Sequence, residues 1–163
     1  MGFSVKGIIL TVCVVAVTAY LAVAAIEDFR SKMVTRGKHL IGFVPSVGVW
    51  ILFFEERTLY ELGTIMLFSL LWILCGAIRV YGMADAFVLS NLTLFFGGIG
   101  GAAGIGMVIL IMVIAGFTGV GEILIRSRVM SKNYEENRKI AFVPHILMGY
   151  VMAAVGIRIY FIV

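Results

Sequence analysis

Six apolar segments make up most of the chain, and the polar residues gather in the short stretches between them. The hydrocarbon core of a bilayer is about 30 Å thick and is crossed by about 20 helical residues. Backbone groups in lipid must be paired within the protein, which favours helices, and no segment alternates with the period of a barrel strand. The sequence therefore predicts an all-α polytopic membrane protein with six transmembrane helices in a single membrane-embedded domain, 1–163. The predicted helices cover residues 7–26, 40–54, 62–78, 84–96, 102–125 and 140–162.

The composition supports a membrane protein over a soluble one. Hydrophobic residues make up 62% of the chain and charged residues 13%, whereas a soluble domain is nearer half apolar. The net charge of +4 does not indicate nucleic-acid binding, because the positive residues lie between the apolar segments, where they determine topology. Cys13 and Cys75 lie within apolar stretches without a Cys-x-x-Cys pattern, which favours neither a zinc site nor a disulfide framework.

The distribution of Lys and Arg predicts the orientation of the helices. The first, third and fifth loops carry ten of these residues, and the opposite side carries three. Positive residues are enriched in cytoplasmic loops, so we expect the odd-numbered loops in the cytoplasm and both termini outside. The predicted cytoplasmic loops are residues 27–39, 79–83 and 126–139.

Asp28 and Asp85 are the two aspartates of the chain, and each borders an apolar segment on the predicted cytoplasmic side. Ionisable groups beside hydrocarbon are costly and often mark function. Two neighbouring carboxylates can share a proton, so that one acts as a base towards water and the other as an acid towards a peptide carbonyl. The alternative is a pair of interfacial carboxylates that reach water or bind Arg30 and Arg79.

The residues before Asp85 resemble a family motif. The stretch YGMADA at residues 81–86 is similar to the Gly-x-(Gly or small)-Asp motif of the type IV prepilin peptidase family, which includes the archaeal preflagellin peptidases. In this motif Gly82, Met83 and Ala84 support Asp85. We expect Gly82 to let the chain turn, or approach its neighbour, before the helix carries Asp85 inward.

Two further stretches extend this resemblance over most of the chain. Asp28 is followed by a basic stretch, as is the first aspartate of the family, and AFVPHILMGY at residues 141–150 resembles the Phe-x-Pro start of the family's last helix. The resemblance implies a Gly-x-Gly-Asp-type membrane aspartic endopeptidase with Asp28 and Asp85 catalytic on helices one and four. It implies no cofactor or metal. The substrate would be a pilin-like or archaellin precursor, cut after its short basic leader at the cytoplasmic face, with its apolar helix in the membrane lipid.

The chain also departs from the family pattern. Thr35 follows Val34 where many members have proline, and Ala84 replaces the second glycine of the bacterial motif, as the looser archaeal pattern allows. The long cytoplasmic domain with four zinc-binding cysteines is missing. The resemblance is therefore to an archaeal-type peptidase without methyltransferase activity.

The other notable residues have simpler interpretations. The glycine-rich run 96–106 predicts close packing or a tight turn rather than a phosphate-binding loop, which needs a preceding strand. Glu27 points about 100° away from Asp28 on a helix, so we expect it to be solvated. Other expectations are an ion pair between Glu122 and Arg126, interhelical hydrogen bonding by Asn91, an interfacial position for His39, and no metal binding by His39 or His145.

Two other classes of function fit the apolar composition. A small proton-coupled transporter would use intramembrane carboxylates to carry protons, although carriers commonly show internal repeats and broken helices near the midplane, and no repeat is evident here. A non-catalytic subunit of pilus or archaellum assembly would tolerate Asp→Asn at both positions. The sequence does not indicate an oligomeric state.

Overall fold

A computed structural model describes residues 5–31, 34–129 and 141–162 of the chain. Within these residues the chain forms six α-helices and a short 3-10 turn, Phe54–Glu56, without a β-strand. The predicted all-α architecture is therefore confirmed. The helices are α1 (Val5–Ser31), α2 (Arg36–Phe53), α3 (Leu59–Ala77), α4 (Met83–Gly100), α5 (Ala102–Val129) and α6 (Val143–Ile162).

The first five helices are long and apolar enough to cross a membrane, and α6 contains a shorter apolar stretch, Val143–Ala154. Large apolar side chains also face outward, with Ile51 73% and Phe117 77% exposed. Extensive exposed apolar surface indicates a membrane or another protein as the surrounding medium. The chain is thus a multi-pass membrane protein.

Several helices extend beyond the predicted apolar segments. The predicted first loop, 27–39, is mostly helical, because α1 continues to Ser31 and α2 already begins at Arg36. The short second and fourth segments lengthen into helices of 18 residues each. Polar residues end the apolar pattern without ending the helix, since the backbone bonds of a helix are satisfied in water as well as in lipid. Residues 130–140, which include much of the predicted fifth loop and the predicted start of the last helix, lie outside the described residues.

Helix α4 lies at the centre of the bundle. It packs against α2, α3 and α5, while α1 packs against α2 and α6, and α5 packs against α6. Within the membrane-spanning stretch of α4, 56% of the residues are buried, against 22–33% in the other four spans. Leu89, Leu92 and Phe95 of α4 form the middle of the core together with Leu21 of α1 and Ile111 of α5.

Glycines allow the helices around α4 to approach closely. A Cβ atom on Gly76 of α3 would lie 2.5 Å from the Cβ of Ala86 on α4, and one on Gly97 would lie 2.8 Å from Ile65. Gly101 ends α4 with a φ of 57°, a left-handed conformation that favours glycine. The glycine-rich run therefore forms a tight, closely packed turn, as predicted.

Alanine substitution at two glycines of α3 tests this packing. An added Cβ at Gly76 meets Ala86, whereas one at Gly63 meets nothing within 4 Å. We expect Gly76→Ala to lower the free energy of unfolding by about 1–3 kcal/mol through overpacking. Gly63→Ala should be neutral or stabilise the helix by up to about 1 kcal/mol. Thermal unfolding in detergent measures both, and equal midpoints for the two variants would contradict the packing of α3 on α4.

Candidate active site

Asp28 and Asp85 lie at the same end of the bundle, hereafter the aspartate end. Asp28 belongs to the last turn of α1 and Asp85 to the first turn of α4. Their side chains are buried, with 6% and 9% exposure. The carboxylate of Asp28 is close enough to act electrostatically on that of Asp85. The fold thus brings together the two residues that the sequence singled out, although 56 residues separate them along the chain.

The Asp28 carboxylate lies at the amino-terminal end of α6. The backbone N–H of Val143, the first residue of α6, donates to Oδ2 of Asp28 over 3.0 Å. The first N–H groups of a helix have no partner within the helix, and together they present partial positive charge. Pro144 follows directly and lacks an N–H, which suits the first turn of a helix. The junction of α1 with α6 therefore provides a charge-assisted hydrogen bond for a buried carboxylate.

Gly82 leaves space for the Asp85 carboxylate, and its backbone conformation does not itself call for glycine. Its φ of −64° is open to any residue, but a Cβ atom there would lie 2.8 Å from Oδ2 of Asp85. Gly82 is the residue before α4, and its backbone amide hydrogen-bonds with the Asp85 carboxylate. This is the return contact of a capping box, in which the third helical residue reaches back to the cap. The sequence predicted that Gly82 permits either a turn or a close approach, and the structure agrees with the close approach. Between these two residues, Met83 is exposed and Ala84 is half-buried.

The interfacial alternative for the two aspartates is weakened by their surroundings. Burial keeps both side chains from reaching water freely. Among the described residues, Asp85 forms no ion pair with Arg79 or with another cation. The backbone N–H of Val143 donates a hydrogen bond to Asp28. Carboxylates in such positions are candidates for acid–base chemistry.

Glu27 keeps part of its side chain in contact with solvent, as expected, and it also joins α1 to α2. Its carboxylate accepts hydrogen bonds from the backbone N–H of Thr35 at 3.2 Å and from the Thr35 hydroxyl at 2.6 Å. It also pairs with Lys38 at 2.8 Å. The sequence did not predict these contacts, because the partners lie at the start of the next helix, a few residues beyond the end of α1. Glu27 therefore holds the connection beside Asp28.

A buried polar cluster lies between α1, α2 and α4. His39 is 3% exposed; its Nδ1 hydrogen-bonds with the hydroxyl of Tyr20 at 2.8 Å, and its ring stacks on Phe87. Nε2 of His39 has no partner among the described residues. His39 lies in the first turn of α2, and its side chain is buried between the helices; its position relative to the membrane interface stays a prediction. Deeper in the bundle, the Ser46 hydroxyl of α2 donates to the side-chain oxygen of Asn91, which confirms the predicted interhelical bonding of Asn91; its backbone oxygen lies 3.2 Å from the same hydroxyl.

The segment between α3 and α4 is anchored by Tyr81. Its hydroxyl donates to the backbone oxygen of Trp72 at 3.1 Å, and its ring lies against the Trp72 indole. Burial raises the pKa of Tyr81, with further contributions from Cys75 and Asp85. The phenol therefore stays protonated and can keep its donor bond, which fixes the chain just before Gly82.

Another polar cluster joins α5 to α6 at the aspartate end. Glu122 pairs with Arg126, as predicted, and also with Nε2 of His145 at 2.7 Å. The contact with His145 was not evident from the sequence, where 22 residues separate the two. In the described part of the chain, no three His, Cys, Asp or Glu side chains are arranged to hold a metal ion.

Comparisons of the chain with protein-family models, curated proteins and solved structures give no match. The resemblance to the prepilin peptidases therefore stays a prediction, based on the residues of this chain alone.

Substitution of Glu27 tests its structural role. Glu27→Gln weakens the contacts with Thr35 and Lys38, so we expect a thermal unfolding midpoint a few degrees below that of the wild type. Glu55→Gln is the matched control, because Glu55 belongs to the exposed 3-10 turn at the other end of α2. Unfolding in detergent provides the measurement. Indistinguishable midpoints for Glu27→Gln and the wild type would show that the Glu27 contacts do not hold the connection.

Proposed function

We propose that the protein is a membrane aspartic endopeptidase that removes the short basic leader from type IV pilin-like or archaellin precursors. The observation that carries this proposal is the burial of Asp28 beside Asp85, the two aspartates of the chain, at one end of the helix bundle. The Gly82 amide at Asp85 and the Val143 amide at Asp28 support it. Both amides belong to stretches that resemble the family motifs.

The reaction needs one proton shared by the two carboxylates. The ionised carboxylate removes a proton from water, and the water oxygen adds to the scissile carbonyl carbon. The protonated carboxyl group gives its proton to the carbonyl oxygen, which forms a neutral gem-diol. The roles then reverse: one carboxyl protonates the leaving nitrogen, the other removes a diol proton, and the C–N bond breaks. The pair returns to its initial state with a single proton.

The site is assigned to the cytoplasmic face of the cell membrane, with both termini outside. The uneven distribution of Lys and Arg supports this orientation. The apolar helix of a precursor would lie in the membrane lipid beside the enzyme. Its basic leader would remain in the cytoplasm, so the scissile bond would meet the two carboxylates at the interface. No nucleic acid or cofactor is involved in this proposal.

A proton-coupled transporter is the second candidate, and one feature favours it. His39, Tyr20, Asn91 and Ser46 form a chain of buried polar contacts between α1, α2 and α4. Such chains can carry protons in membrane proteins. The aspartates, however, lie at helix ends rather than at the midplane, where carriers place their sites. The third candidate, a non-catalytic assembly subunit, predicts that neither aspartate is needed for a chemical step.

Asn substitution at each aspartate separates these candidates. We expect Asp28→Asn and Asp85→Asn each to lower the cleavage of a precursor at least about a hundredfold, because each removes the acid or the base. Glu27→Gln is the matched control on the same turn of α1 and should keep most of the activity. The assay uses purified protein in detergent or vesicles and follows loss of the leader by gel shift. Normal processing by either Asn variant would contradict the proposal.

Cysteine labelling tests the orientation. A Ser31→Cys variant, with Cys13 and Cys75 replaced by serine, carries its thiol at the aspartate end of the bundle. An impermeant maleimide should label it in inverted vesicles and not in intact cells. Labelling in intact cells alone would place the aspartates outside, on the wrong face for a leader that stays in the cytoplasm.

The pH profile and the response to chelators test the mechanism. A shared-proton pair lacks a base when both carboxylates are protonated and lacks an acid when both are ionised. We therefore expect a bell-shaped dependence of kcat/KM on pH that describes the pair rather than either residue. EDTA and serine- or cysteine-directed reagents should leave the rate unchanged. Activity that is lost in EDTA and restored by zinc would contradict the mechanism, because the aspartates would then be ligands.

A further inference from the structure

The first turn of α6 is attached to α5 by the side chain of His145. Its Nε2 hydrogen-bonds with Oε2 of Glu122 at 2.7 Å, and its Nδ1 hydrogen-bonds with the Thr118 hydroxyl at 3.1 Å. Glu122 is itself paired with Arg126. The His145 side chain is only 12% exposed, whereas that of Glu122 is 28% exposed, so the two contacts are partly buried. We refer to these four residues as the His145 cluster.

The same turn of α6 also donates a hydrogen bond to Asp28 of α1. Val143, which donates its N–H to Asp28, lies two residues before His145. The backbone N–H groups of His145 and Ile146 both bond to the carbonyl oxygen of Phe142, at 3.0 and 3.1 Å. This turn is therefore one rigid unit, and a displacement of His145 displaces the Val143 amide with it.

Helices α5 and α6 pack closely without needing polar side chains between them. Further along the pair, a Cβ atom on Gly149 would lie 2.6 Å from the backbone oxygen of Ile111, so the helices already approach closely there. Near the cluster, a Cβ atom on Gly119 would make only ordinary contacts with the rings of Phe142 and His145, at 3.6 and 3.7 Å, so the helices are less tightly packed there. Polar side chains between membrane helices add only modest affinity to such packing, but they fix its orientation. The orientation is fixed here at the end of α6 that contacts Asp28.

We propose that His145 is a positioning residue for the peptidase reaction. Held by Glu122 and Thr118, it directs the Val143 amide at the Asp28 carboxylate, and this amide favours the ionised carboxylate that acts on water. The inference rests on the proposed function, because it assigns His145 a role within the same site. His145 itself does not touch the reacting atoms.

The decisive experiment measures kcat and KM of the variants His145→Ala and His145→Gln over a range of pH in vesicles. His145→Ala should lower kcat roughly tenfold to a hundredfold, because a misplaced catalytic group is costly, while KM changes little. The acid limb of the pH profile should move up by about one pH unit, because the carboxylate loses the amide that favours its ionised form. His145→Gln should recover part of both effects, since its amide can still donate to Glu122.

Two more variants complete the experiment. Thr118→Val removes one contact of the ring without changing His145, and it should cause a smaller shift of the acid limb in the same direction. Met148→Ala, on an exposed position of α6, is the control and should leave the profile unchanged. If His145→Ala does not fold in detergent, His145→Gln and Thr118→Val decide the question.

A lower kcat in the His145 variants with an unmoved acid limb would overturn the inference, because a purely structural residue predicts that result. Full activity in His145→Ala would overturn it as well. Either result leaves the proposed function intact as long as Asp85→Asn is inactive. Failure of the wild type to cleave, or full activity of Asp85→Asn, would instead refute the proposed function, and the role of His145 would fall with it.

Discussion

The burial of two carboxylates at the edge of an apolar bundle is the constraint on which the rest of the structure depends. A buried charge is costly unless hydrogen bonds replace the water that it has lost. Each aspartate receives a backbone amide from the start of a helix, Asp28 from Val143 and Asp85 from Gly82. Helix ends supply such amides because their first N–H groups have no partner within the helix. The chain therefore brings the starts of α4 and α6 to the end of α1.

Close packing around α4 makes this arrangement possible. Gly76 lets α3 approach Ala86, one residue beyond Asp85, and Gly42 of α2 leaves room for Tyr20 and Asn91. Larger side chains at these positions would separate the helices and let water or lipid reach the carboxylates. At Gly82, a methyl group would likewise lie too close to the Asp85 carboxylate unless that side chain moved. Small residues thus allow the close packing around the two aspartates.

The positions of the helices and the importance of the two aspartates could be predicted from the sequence, because both depend on local signals. Apolar runs of sufficient length indicate helices in lipid, and an aspartate beside such a run is rare enough to be noticed. The partners of these residues were not predictable in the same way. The Val143 amide, the Glu122 side chain at His145 and the burial of His39 arise from contacts between distant segments. Proline at residue 144 was the one local sign that a helix start lies there. The contacts of Glu27 were missed because polar residues continue α1 beyond its apolar stretch.

The most direct test of the account asks whether Asp28 and Asp85 share one proton. A hydrophobic carbodiimide reacts with protonated carboxyl groups that are shielded from water, and mass spectrometry locates the modified residue. Because like charges at close range resist double ionisation, the account predicts modification of one of the two aspartates at the pH of maximal activity. A shared proton also predicts that Asn at either position lowers the pH at which the other aspartate stops reacting, since a neutral neighbour no longer opposes its ionisation, while burial still does. An unchanged pH dependence of labelling in the single variants, or no labelling of either aspartate in the wild type, would contradict a shared-proton pair.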